Sequence, residues 1–97
     1  MNGTAGVEPA QAQVLIVNKR GLHARASAKF VASVAAMQDV SVMVGKDGQE
    51  AAGGSILGLM MLGAAKGDHI TVSVSGDNRE ARLAELVELV ESGFGED

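Results

Sequence analysis

Residues 69–75 alternate without a fault, with Ile70, Val72 and Val74 on one side and Thr71, Ser73 and Ser75 on the other. Successive side chains of a strand point to opposite faces, so this segment is a strand with one buried and one wet face. A sheet of such strands is open on one side and must be covered on the other. Two segments of helical period provide cover. In residues 24–37, Ala26, Phe30, Val34 and Met37 recur at helical spacing. Val31 and Ala35 widen that stripe, and Arg25, Lys29 and Ser33 form a polar row beside it. Near the C-terminus, Leu83, Leu86, Val87 and Val90 form a second apolar face. Asp77 and Glu80 are spaced for a capping box before it, and Gly93 for its stop.

The remaining segments are shorter. Residues 13–17 read as a first strand, 40–44 as a second and 49–52 as a third. Asp47-Gly48 between the last two is a two-residue hairpin signal, because a type I′ turn needs positive φ at both central positions. Gly53-Gly54 breaks the third strand. Ser55 then caps a short helix over residues 56–62, which Gly63 stops. The order β-α-β-β-α-β-α predicts an α+β fold: a two-layer, open-faced sandwich whose mostly antiparallel sheet carries three helices on one face. A chain of 97 residues is one domain. The expected division is a disordered lead-in over residues 1–11, the domain over 12–92 and a frayed tail over 93–97.

Composition excludes several kinds of chemistry. There is no cysteine, hence no disulfide framework and no thiolate catalysis, and two widely separated histidines predict no metal site. The formal net charge is -4 and only two residues are aromatic, which argues against nucleic-acid binding. The N-terminal residues have no basic region followed by an apolar one, so no secretory signal is expected. The longest apolar run, 56–65, is shorter than the roughly 20 residues that span a bilayer. The expected location is the cytoplasm, without membrane insertion.

Against this acidic background, four of the eight Lys and Arg residues fall within Lys19-Arg20-Gly21-Leu22-His23-Ala24-Arg25-Ala26-Ser27-Ala28-Lys29. Gly21 lets the chain turn into the helix, Leu22 anchors the loop, and His23 falls at the helix start. The amides of Ala24 and Arg25 are among the donors that a helix start leaves free. An anion on His23 would meet those amides and the positive end of the helix dipole. Arg25 can pair with phosphoryl oxygens through two N–H groups, while Arg20 and Lys29 add a longer-range field. A neutral imidazole is a nucleophile, and phosphoryl transfer asks little more of a protein than positioning and charge compensation. The set therefore suits a group that takes a phosphoryl and gives it up again.

Gly21-Leu22-His23-Ala24-Arg25-Ala26 resembles the active-site signature of HPr, the histidine phosphocarrier of the bacterial phosphoenolpyruvate-dependent phosphotransferase system. Ser55-Ile56-Leu57-Gly58-Leu59 resembles that family's regulatory-serine segment. The likeness extends over residues 12–90. It implies strand order 1-4-2-3 and a phosphoryl carrier, not an enzyme, that uses no cofactor. It further implies that His23 accepts phosphoryl at Nδ1 from phosphorylated enzyme I and passes it to an enzyme IIA domain, with Arg25 as the phosphate-pairing residue. Ser55 would correspond to the serine that HPr kinase/phosphorylase modifies. Two departures stand out. Ala26 occupies a position where many members have proline, and Gly54 precedes the serine where a basic residue is common.

Helix residues 56–62 are apolar nearly all round, more than a short helix can bury. Ile56, Leu57 and Met60 are therefore expected, with Arg20 and Lys29, to form a docking face for partner proteins. A carrier that shows one face to successive partners is expected to be a monomer. Two rival readings remain: a regulatory paralogue serving a nitrogen-related branch, and a small module that holds an anionic effector with His23 and Arg25. A hydrolase fits poorly, since no paired carboxylate or metal cluster accompanies His23.

Overall fold

The computed structural model of the chain describes residues 8–96. Its elements are β1 (Ala10–Leu15), α1 (Ala24–Ala35), β2 (Val40–Lys46), β3 (Gln49–Ala52), α2 (Ile56–Met61), β4 (His69–Gly76) and α3 (Arg79–Glu91), with a 3-10 turn at Gly93–Gly95. The four strands form one sheet in the order β1-β4-β2-β3, and every neighbouring pair is antiparallel. This is the α+β open-faced sandwich expected. Among the described residues, no helix is long and apolar enough to cross a membrane.

The alternation in β4 sets the layers. Ile70, Val72 and Val74 are buried, and Thr71, Ser73 and Ser75 remain partly exposed on the open face. Val14, Ile16, and Val42 and Val44 from β2 share the core with them, and Ala26 and Phe30 from α1, Leu59 from α2, and Leu86 and Val90 from α3 complete it. Full burial of each large apolar side chain contributes about 1.5–3 kcal/mol. The hairpin forms at Asp47-Gly48, and both residues have positive φ.

Three expectations need correction. The first strand runs from Ala10 rather than residue 13. Ala10 to Leu15 pair in register with Val74 to His69, so the eight-residue partner sets the length of β1 despite the weak strand propensity of Ala10-Gln11-Ala12. Residues 10 and 11 thus leave the expected lead-in, and residues 1–7 lie outside the described residues. Next, the capping box does not form. The N-cap of α3 is Asn78, in the left-handed region, with no side-chain cap bond. Asn78 Nδ2 donates instead to Asp39 Oδ2 at 3.1 Å, and Arg82 Nε donates to Asp39 Oδ1 at 3.2 Å. These two donors, Asn78 foremost, hold the Asp39 carboxyl below the usual carboxylate range.

The third correction concerns residues 93–97, expected as a frayed tail. Gly93–Gly95 forms an ordered turn, and the Phe94 ring is only 1% exposed. An aromatic side chain with a place in the core holds the segment down. Gly93, Phe94 and Gly95 all have positive φ, and Phe94 at 57° carries a bulky side chain in a conformation that disfavours one. Lys29 Nζ donates to the Phe94 carbonyl at 2.7 Å.

Candidate functional site

The loop before α1 is pinned from two sides. Leu22 N donates to Ala64 O at 3.0 Å, and the buried Ser27 hydroxyl donates to Leu22 O at 3.1 Å. Gly21 has φ of 60° and lies so close to the connector after α2 that a Cβ there would stand 2.3 Å from Ala64 O. The position therefore demands glycine twice, for conformation and for space. With Leu22 buried beneath it, the loop delivers His23 as the extended N-cap of α1, at φ -73° and ψ -179°.

Both nitrogens of the His23 ring are engaged. Nδ1 accepts from the Arg25 amide at 3.3 Å. Nε2 lies 2.6 Å from Glu96 Oε2, and both side chains are 15% exposed. Glu96 Oε1 accepts from Asn18 Nδ2 at 3.0 Å, and the same Nδ2 also donates to Gly21 O at 2.9 Å. The Asn18 hydrogen bond, with further help from His23, holds the Glu96 carboxyl below its ordinary value, so Glu96 is an anion at neutral pH. An anionic carboxylate can only accept. The hydrogen between it and the ring therefore belongs to Nε2, and Nδ1, which accepts from the Arg25 amide, turns its lone pair toward the start of α1.

Around this ring Lys19, Arg20, Arg25, Lys29, Gly95 and Glu96 line a shallow pocket of about 380 Å³. Arg25 thus shares the pocket with His23, as does Arg20, and both are exposed. Ala24, also exposed, is the first helical residue, and its amide belongs to the set a helix start leaves unpaired. Lys29 lines the pocket while gripping the Phe94 carbonyl, so it is more constrained than a free surface cation. Four cations, helix-start amides and a nucleophilic nitrogen can receive a phosphoryl group and compensate its charge.

Ser55 is not part of this pocket. It is the N-cap of α2, and its Oγ accepts from Gly58 N at 2.9 Å. Gly54 before it is exposed, and a Cβ there would meet nothing within 4 Å. Ile56, Leu57 and Met60 are all exposed, Leu57 to 68%. Met61, left out of the expected docking face, is more exposed still at 72%. A larger groove of about 850 Å³ lies elsewhere, between Lys46-Asp47 and Asp68-His69, where Lys46 is already paired with both aspartates.

The residue at the His23 ring that sequence reasoning missed is Glu96. Its signal was Phe94, one of two aromatic residues in the chain, set between glycines near the end. A large apolar side chain in a supposedly frayed segment marks an anchor.

Comparison with known proteins agrees with the fold. Residues 10–92 match the family model described as PTS HPr component phosphorylation site. The phosphocarrier protein HPr of Pseudomonas aeruginosa is 41% identical over 85 residues, covering 87% of this chain and 93% of that protein. The phosphocarrier protein NPr of Escherichia coli is 37% identical over 84 residues, covering 87% of this chain and 93% of that one. Among solved structures, HPr-C-His from Thermoanaerobacter tengcongensis superposes with a TM-score of 0.84 at 38% identity, over 91% of this chain and 98% of that chain. Two motifs in register, the sheet order 1-4-2-3 and these relatives lead to one conclusion: the chain belongs to the HPr family of phosphotransferase-system phosphocarriers.

Proposed function

We propose that His23 takes a phosphoryl group on Nδ1 from phosphorylated enzyme I and passes it to a histidine of an enzyme IIA domain. The observation that carries this reading is the state of the ring. Nε2 is committed to Glu96, while Nδ1 faces the start of α1, where its lone pair accepts a long bond of 3.3 Å from the Arg25 amide. The amides of Ala24 and Arg25 and the Arg25 guanidinium compensate the phosphoryl charge, and Arg20 and Lys29 extend the positive field toward the partner. Ile56, Leu57 and Met60, with Met61, form the apolar part of the same docking face.

The test is incubation with enzyme I and labelled phosphoenolpyruvate. An acid-labile, base-stable phosphate that disappears in His23→Ala supports the carrier. Failure to incorporate label, with saturable binding of a small anion instead, supports the effector module. Arg25→Ala is expected to slow transfer without lowering the melting temperature, because its side chain is exposed. Unchanged transfer in that variant removes the pairing role.

Ser55 is the second modification site in this reading, through an HPr kinase/phosphorylase. A phosphate there would sit at the N-terminus of α2, where an anion is tolerated, and would act by altering docking. Gly54 leaves the kinase without a basic neighbour, so Gly54→Arg is expected to raise Ser55 labelling. The NPr relatives favour a second reading, service in a nitrogen-related branch. Competition between the sugar-branch and nitrogen-branch forms of enzyme I for this chain decides between the two.

A further inference from the structure

The contact between Glu96 and His23 joins residues 73 positions apart, and it is built rather than incidental. Each carboxylate oxygen has its own donor, Asn18 Nδ2 on Oε1 and the His23 ring on Oε2. Asn18 is buried, and its amide orientation is set by two acceptors, Gly21 O and Glu96. The turn that carries Glu96 is held by the buried Phe94 ring and by Lys29 on the Phe94 carbonyl. Three consecutive positive φ angles, one of them at Phe94, are tolerated to make that turn. A non-glycine residue held in this region next to a site of group transfer points to a function for the segment it delivers.

We propose that Glu96 is a positioning residue for His23: it accepts the Nε2 hydrogen, fixes the ring with Nδ1 toward the start of α1, and balances the positive charge that the ring acquires while it carries a phosphoryl group. The last part rests on the carrier function proposed above. In the forward step the Nδ1 lone pair attacks phosphorus and an N–P bond forms. The N–P bond to the donor's phosphohistidine breaks, and its electron pair returns to the donor nitrogen. His23 keeps its Nε2 hydrogen throughout, so the phosphorylated ring is formally an imidazolium, and Glu96 is its counter-ion. On transfer onward the N–P pair returns to Nδ1 and the ring is neutral again. No proton enters or leaves. The carboxylate therefore assists uptake, in which the ring gains positive charge, as the buried aspartate of a Ser-His-Asp triad assists its histidine, and holds the phosphorylated form until it meets an acceptor.

The ring can be examined without any partner protein. In ¹⁵N spectra of the unphosphorylated chain, His23 is expected to carry its hydrogen on Nε2, with a proton resonance shifted far downfield and protected from exchange by the 2.6 Å bond. In Glu96→Ala that resonance should merge with water, while amide signals of the core stay in place. A ring with its hydrogen on Nδ1, or a protected Nε2 proton that survives in Glu96→Ala, overturns the proposal. The charge is tested by rate. Glu96→Gln keeps an acceptor but loses the anion, and phosphoryl uptake should slow by roughly tenfold, the difference between charged and neutral hydrogen bonds, while delivery does not slow. Glu96→Asp should recover part of that loss. Equal rates in wild type, Glu96→Gln and Glu96→Ala refute the counter-ion role. Failure of the wild type to take label from enzyme I instead refutes the carrier reading and leaves the spectroscopic result for Glu96 standing.

Discussion

Phe94→Ala separates an anchored tail from a frayed one. The ring is 1% exposed, and truncating a fully buried phenylalanine costs about 3–5 kcal/mol. The turn that carries Phe94 is the last described element and follows α3, however, so it can detach while the sheet and helices stay folded. That local release caps the loss, and the lower end of the range, about 3 kcal/mol, is expected. In a domain of this size such a loss lowers the melting temperature by roughly 12–24 °C. A second variant probes the strain. At a φ of 57° alanine still carries a Cβ that glycine lacks, and the difference is worth about 1 kcal/mol. Phe94→Gly should therefore be more stable than Phe94→Ala, the reverse of the order expected in ordinary helix or strand positions. Urea denaturation of the three proteins measures both effects, and the protected Nε2 proton of His23 should vanish in both variants. A loss below about 0.5 kcal/mol, typical of surface positions, would refute the anchor. Equal stability of the two variants would refute the strain.

Three further expectations follow from the same geometry. Gly21→Ala places a Cβ 2.3 Å from Ala64 O at a positive φ, so the loop must lift from the connector and lose the bond from Leu22 N to Ala64 O. The expected cost is about 2–4 kcal/mol by denaturation, with phosphoryl uptake impaired beyond the stability loss, because His23 moves with the loop. Gly54→Ala should stabilise the domain by about 0.4–1 kcal/mol, since the added Cβ meets nothing and the unfolded chain loses freedom; a destabilised variant in a thermal melt contradicts this. The third concerns pH. The Glu96 carboxyl is held below its ordinary value of 4.5, first by Asn18, so its stabilising effect is present above that value and is lost as pH falls through the depressed one. Wild type should therefore be more stable than Glu96→Gln at neutral pH, with the gap closing in acid. Urea midpoints from about pH 7 to about pH 3 measure it, and a gap that widens in acid would reverse the sign of the argument.

Most of the fold was legible because its signals are short-range. The alternation in β4, the stripes of α1 and α3, the Asp47-Gly48 turn and the Ser55 cap each involve residues a few positions apart, and each appears where expected. Errors arose where a distant partner overrode a local preference. Ala10-Gln11-Ala12 has little strand character but lies against β4. Asp77 and Glu80 have the spacing of a capping box, but Asn78 is drawn to Asp39, a residue of the distant α1–β2 connection. The candidate site divides in the same way. His23, Arg25 and the helix-start amides are neighbours in sequence and were visible together, whereas Glu96 and Asn18 were not.

Sequence alone determined which nucleophile stands at the start of α1, which cations surround it and which faces of the elements are apolar, because hydrophobic period, caps and turns act over a few residues. Tertiary structure alone decided that the C-terminal segment folds back onto the ring. It also decided that Nε2 is bound to Glu96, that Nδ1 is the nitrogen facing the Arg25 amide, and that Gly21 has no room for a side chain beside Ala64. Those features depend on contacts between residues dozens of positions apart. Such contacts follow from the packing of the Phe94 ring and the close approach of two loops, not from any pattern along the chain.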